Sequence, residues 1–117
     1  MVRKTLLALM LVLLVGVETP RADDRSDAKA QTEFGIKVAA RALWREALYR
    51  WQRAIEIDPT YAPAWNNIGV AFEQEGRLDE AREAYETALD LDPNNLHIEQ
   101  NYDLFLEVND RVNQNPR

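Results

Sequence analysis

The stretch Ala62-Pro-Ala-Trp-Asn-Asn-Ile-Gly-Val-Ala-Phe72, continued after Glu-Gln-Glu by Gly76-Arg-Leu-Asp-Glu-Ala-Arg-Glu-Ala-Tyr-Glu-Thr-Ala-Leu-Asp-Leu-Asp-Pro-Asn-Asn95, decides the fold. Trp65, Ile68, Gly69 and Phe72 recur at i, i+3, i+4 and i+7, which lays one stripe along a helix of period 3.6. Gly76, followed by Arg77-Leu78-Asp79, supplies a break and a restart, because glycine tolerates the backbone angles of a tight helix–helix turn. A second helix then carries Leu78, Ala81, Tyr85, Ala88 and Leu89 on its inner face. Ala81 and Ala88 let two helices approach closely, and Tyr85 fills the space between them. Pro93 ends the unit, since it lacks an amide hydrogen and clashes inside a helix. This is a helical hairpin.

The same unit stands 34 residues earlier. Phe34 aligns with Ile68, Gly35 with Gly69, Val38 with Phe72, Trp44 with Leu78, Ala47 with Ala81, Trp51 with Tyr85 and Ala54 with Ala88. Ile55-Glu-Ile-Asp-Pro59 matches Leu89-Asp-Leu-Asp-Pro93. A 34-residue period of this kind is the mark of stacked helical hairpins, none of which buries its apolar face alone.

In these positions the chain resembles the tetratricopeptide repeat family. The second repeat carries the pattern almost completely: Trp65, Ile68, Gly69, Phe72, Gly76, Ala81, Tyr85, Ala88 and Pro93. The first departs from it, with Gln31 in a slot for a large residue, a small Val38, and Ala42 where a turn glycine belongs. Those departures predict a longer first helix or a rearranged turn. The resemblance implies an all-α domain over 28–112, made of repeats 28–61 and 62–95 and a capping helix over 96–112. In the cap, Ile98, Tyr102, Phe105 and Val108 are expected to face the preceding hairpin. Glu99, Asp103, Glu107 and Asp110 are expected to stay wet, as the outer face of a terminal unit requires.

Ahead of the repeats, Met1-Val-Arg-Lys is a short basic head and Thr5 to Val17 an almost unbroken apolar run. As a helix that run spans roughly 20 Å, short of the ~30 Å hydrocarbon core. The order basic, apolar, then small and polar describes a secretory signal peptide over 1–22, with cleavage after Ala22. Residues 23–27 (Asp-Asp-Arg-Ser-Asp) read as a flexible leader and 113–117 as a polar tail. The expected location is periplasmic or secreted. The competing reading retains 5–17 as an anchor and makes the protein a membrane-tethered structural or assembly subunit.

The formal net charge is −6. Cleavage would remove Arg3, Lys4, Arg21 and Glu18, leaving an even more acidic domain. Such a chain is a poor match for nucleic acid, whose phosphates call for clustered Lys and Arg. There are no cysteines, so packing alone holds the fold even in an oxidising compartment. Two hairpins and a cap fall short of the three repeats that usually make a comfortable core. The array is therefore expected to be marginally stable alone, or to self-associate through its irregular first hairpin.

Catalytic and metal motifs are missing from the sequence: there is no His-Glu-x-x-His, paired Cys-x-x-Cys, Gly-x-Gly-x-x-Gly or phosphate loop. The single histidine, His97, has no cysteine to join in a zinc site and reads as a solvated helix-start residue. Glu80, Glu83 and Glu86 alternate with Arg77 and Arg82, the pattern of a wet helix face with weak ion pairs. Trp44, Trp51, Trp65, Tyr85 and Phe72 occupy packing slots, while Tyr49 and Tyr61 fall outside the stripe. The reading is not an enzyme, and neither a cofactor nor a metal is implied.

What the resemblance implies instead is a concave groove that binds a protein or peptide segment. First-helix residues off the buried stripe would line it: Lys29, Thr32, Glu33 and Ile36; Asn66, Asn67, Val70, Glu73 and Gln74; His97, Gln100, Asn101 and Leu104. Asn67 and Asn101 stand one period apart and should stack along the groove, each amide offering donors and an acceptor to an extended peptide backbone. Lys29 is the only basic groove residue, which argues against capture of a C-terminal carboxylate. A third reading makes the module a substrate-recruiting accessory of an enzyme.

Overall fold

The structure is a computed structural model, and it describes residues 19–114, with side chains to 111. The apolar run 5–17 and nearly all of the signal segment lie outside the described residues. Five helices and no strand occur among them: α1 (Ala22–Ala39), α2 (Trp44–Ile57), α3 (Ala62–Gln74), α4 (Leu78–Leu91) and α5 (Leu96–Gln114). α1 pairs with α2, and α3 with α4. α2 also packs on α3, α5 closes against α4 and α3, and α1 and α3 touch directly. The first helices of successive units thus share one face.

Each hairpin closes because a glycine on its first helix admits a ring from its second. A Cβ added at Gly69 would lie 2.9 Å from the Tyr85 ring, and one at Gly35 would lie 2.4 Å from Trp51 Nε1. Ring-over-glycine packing is therefore the repeated unit, with different polar ends. Trp51 Nε1 donates to the Thr32 carbonyl at 3.0 Å, whereas the Tyr85 hydroxyl donates to Glu73 at 3.0 Å.

The seams between units repeat as well. Ala28, Ala54 and Ala64 pack where α1, α2 and α3 meet; one period on, Ala62, Ala88 and Ile98 do the same for α3, α4 and α5. The main core holds Trp51, Ile68, Phe72, Tyr85 and Phe105 among small residues, with Tyr102 packed against it. Tyr85 lies 5.5 Å from Phe105 and 5.9 Å from Tyr102 between ring centroids, so the cap is held largely by aromatic contact.

Of the two outcomes predicted for the first hairpin, the helix is longer and the turn is not rearranged. Ala42 has φ +59°, beside φ +73° at Gly76, and both turns close on the same bond, Leu43 N–H to Val38 O and Arg77 N–H to Phe72 O. Alanine is forced into the left-handed region there. Residues 23–27, expected as a flexible leader, are instead helical. Asp24 accepts the Arg21 backbone N–H at 3.1 Å, and Asp23 and Asp24 complement the positive end of the helix. Arg25 reaches across to the inter-repeat turn, 3.7 Å from Asp58 and 5.3 Å from the Tyr61 ring. Residues 113 and 114, assigned to the tail, continue α5.

Two core assignments also change. Val108 is 52% exposed beside the preceding hairpin rather than packed against it. Phe34 is 45% exposed where its partner in the repeat, Ile68, is buried. Arg50 lies over its ring at 4.4 Å instead.

Candidate functional site

The face shared by α1, α3 and α5 carries two clefts rather than one continuous groove. The first, about 320 Å³, is lined by Thr32, Glu33 and Ile36 of α1, Pro63, Asn66 and Asn67 of α3, and His97 and Ile98 of α5, with Tyr61 and Asn95 from the turns. The second, about 340 Å³, is lined by Glu73, Gln74, Leu78, Leu104, Phe105, Val108 and Asn109. Repeat geometry produces the split, since the Asn66–Asn101 contact crosses from α3 to α5.

Several residues expected to line the groove are occupied in holding it together. Thr32 is buried, its hydroxyl donating to the Ala28 carbonyl at 2.8 Å, so it offers a ligand no polar atom of its side chain. Asn66 is buried too. It accepts from Asn101 Nδ2 at 3.1 Å and donates to Asn67 Oδ1 at 3.2 Å, so the expected stack of Asn67 and Asn101 runs through a third amide. Asn67 keeps its NH2 group, and Asn101 its Oδ1, without a partner among the described residues. Val70 packs against the core. Lys29 lies 3.9 Å from Glu33 on an exposed face. Gln74 and Leu104 line the second cleft, His97 lines the first, and Gln100 is exposed outside both linings.

Glu73 is the carboxylate most altered by its surroundings. Burial raises its carboxyl above the ordinary 4.5, while the Tyr85 hydroxyl pulls in the opposite direction. Tyr85 in turn is held neutral by burial and by Glu73. Elsewhere the charge is unevenly shared. Residues 22–61 carry seven basic and seven acidic side chains, whereas residues 62–111 carry twelve acidic ones against Arg77, Arg82 and Arg111. No group of three or more His, Asp or Glu among the described residues is arranged to hold a metal ion, and no described helix is long and apolar enough to cross a membrane.

Sequence reasoning missed Asn95, whose Oδ1 accepts the backbone N–H groups of His97 and Ile98 and so starts α5 while lining the first cleft. Its signal was present: an Asn directly before an apolar helix is a preferred cap. The second cleft was not foreseen as a unit, because Leu78 reads as core by periodicity but is 38% exposed at its mouth.

Comparison with known proteins agrees with this architecture. The family description "Tetratricopeptide repeat" matches residues 62–95, and "TPR repeat" matches residues 44–76. A chloroplast tetratricopeptide repeat domain-containing protein of Arabidopsis thaliana, PYG7, is 32% identical over 73 residues, 62% of this chain and 24% of its own length. SPINDLY of Hordeum vulgare, a probable UDP-N-acetylglucosamine–peptide N-acetylglucosaminyltransferase, is 37% identical over 70 residues, 60% of this chain and 7% of its own. An uncharacterized protein of Methanocaldococcus jannaschii is 33% identical over 82 residues, 68% of this chain and 95% of its own. The chain thus spans a quarter or less of these two plant relatives, and the transferase activity in the barley name is that protein's own.

Proposed function

The chain belongs to the tetratricopeptide repeat family, and from that premise we propose that it is a non-catalytic adaptor which holds an extended segment of a partner protein against α1, α3 and α5. Repeats of this family serve in general as protein-interaction scaffolds. The observation that carries the reading is the amide row Asn101–Asn66–Asn67, of which Asn66 and Asn67 line the first cleft and Asn101 joins them from α5. Its two ends differ: Asn67 retains donors and Asn101 an acceptor. A peptide backbone presents the complementary pair, a carbonyl and an N–H, along an extended strand. The buried middle amide fixes the orientation of both ends, so little freedom is lost on binding.

The partner is met outside the cytoplasm in this reading, residues 1–22 serving as an export signal. Retention of 5–17 as an anchor is the alternative, and the N-terminal mass of the purified protein separates the two. Cleavage after Ala22 would remove the Arg21 N–H that Asp24 accepts, leaving Asp23 and Asp24 in the first turn of α1, where their carboxylates suit the helix dipole.

The test is crosslinking capture from the native compartment with the wild type, Asn67→Ala, Ile36→Ser and, on the opposite helix, Tyr49→Ala. Ile36 and Tyr49 are both exposed, so these substitutions leave the core intact. Partners lost with Asn67→Ala and Ile36→Ser but kept with Tyr49→Ala are the expected result. Partners kept by both groove variants would remove function from this face.

A further inference from the structure

The second cleft differs from the first in its apolar floor and in a carboxylate, Glu73, that no described lysine or arginine pairs with, whereas Glu33 of the first cleft lies 3.9 Å from Lys29. Phe105 forms the floor and is buried, while Leu78, Leu104 and Val108 stand exposed around it. At one end Glu73 is only partly exposed. Its Oε2 accepts the Tyr85 hydroxyl at 3.0 Å, and no described residue donates to its Oε1. None of Arg77, Arg82 and Arg111 neutralises it. Arg77 is bonded to Glu80 and Glu75, Arg82 lies over the Phe105 ring at 5.9 Å and makes no ion pair with Glu73, and Arg111 pairs with Glu107. The carboxylate therefore keeps an unused acceptor beside exposed leucine and valine.

We propose that this cleft is a pocket for one basic side chain, arginine or lysine, of the partner segment. The inference rests on the peptide-binding reading above and names what that segment must carry. A basic side chain matches the cleft along its whole length: its methylene stem covers Leu104, Leu78 and Val108, and its charged head reaches Glu73. An aliphatic residue would leave the Glu73 oxygen covered and unpaired, and an acidic one would meet like charge. The field supports the same choice, since residues 62–111 are strongly acidic and steer cationic segments toward this half of the array. The tyrosine hydroxyl keeps the carboxylate fixed before the ligand arrives.

The test uses the full chain and two fluorescein-labelled peptides of glycine, serine and leucine, one with a central arginine and the other with citrulline, its neutral near-isostere. Fluorescence anisotropy is expected to show about tenfold tighter binding of the arginine peptide, the scale of one charge-assisted hydrogen bond. Glu73→Gln, which still offers Tyr85 an acceptor, should bring the two affinities together, and Leu104→Ser should weaken both. Equal affinities in the wild type, or a preference that survives Glu73→Gln, would overturn the pocket while leaving groove binding in place. Failure of both peptides to bind would count against the pocket and the groove reading alike. Sedimentation velocity on the same samples tests a second copy as the occupant: self-association abolished by Glu73→Gln would replace the foreign segment with this chain itself.

Discussion

Ala42 shows how far a repeat tolerates a wrong residue before its geometry gives way. Its φ of +59° costs a residue with a Cβ about 1–2 kcal/mol, yet the turn keeps the hydrogen bond that its glycine counterpart makes. The turn survives because Trp51 over Gly35, and the helices on either side, determine where it must pass. Ala42→Gly should relieve the strain. Glycine also gains freedom in the unfolded chain, so the net stabilisation expected is about 0.5–1 kcal/mol. Urea unfolding of the purified variant measures it directly, and an unchanged or lower midpoint would show that the turn is not strained. The 34-residue offset made this residue legible as an anomaly. The two asparagines were legible only in part, because sequence spacing gives a face but not which of two adjacent amides turns inward. Asn66 is buried and Asn67 half-buried, a difference that depends on where Asn101 arrives from α5.

At the scale of the helix, α1 departs furthest from its reading. Five charged and polar residues in succession, Asp23 to Asp27, look like a leader because they offer no apolar stripe. They are helical through contacts that composition does not display: a capping pair at Arg21 and Asp24, and Arg25 lying over Tyr61 beside Asp58. Asp58 is buried, and its Oδ1 already accepts the Thr60 N–H and hydroxyl, while its Oδ2 has no hydrogen bond. Arg25 is the nearest cation, and being largely exposed it ties the helix start only loosely. Arg25→Ala should therefore loosen the first turns of α1 without unfolding the array. Hydrogen exchange is expected to show faster amides over 25–28 and unchanged protection over 47–57. Loss of protection in both segments would mean that Arg25 supports the whole hairpin. The remaining helices followed their periodicity where a neighbour buries the stripe and departed from it at Leu78 and Val108, which stay exposed.

Across the whole molecule the two halves are unlike in charge, and this bears on stability as well as on binding. Residues 62–111 hold twelve acidic side chains and three arginines, on two helices, a cap and their connections that must pack together despite mutual repulsion. The ion pairs there, Arg77 with Glu80 and Glu75 and Arg111 with Glu107, lie within single helices or turns and join no two units. None of these ion pairs offsets repulsion between α4 and α5, which meet through aromatic packing, the Ala88–Ile98 seam and a hydrogen bond from the Tyr102 hydroxyl to Glu86. Salt should therefore stabilise the array. Between about 0.01 M and 0.15 M the screening length falls from about 30 Å to about 8 Å, which removes repulsion between units but spares packing. Melting followed by circular dichroism should give a Tm below about 70 °C at low salt, consistent with so short an array, and a higher Tm as chloride is added. A Tm that falls with salt would mean that the local ion pairs outweigh the repulsion. The acidic half would then cost the fold nothing, and the case for a cationic partner would stand on the Glu73 cleft alone.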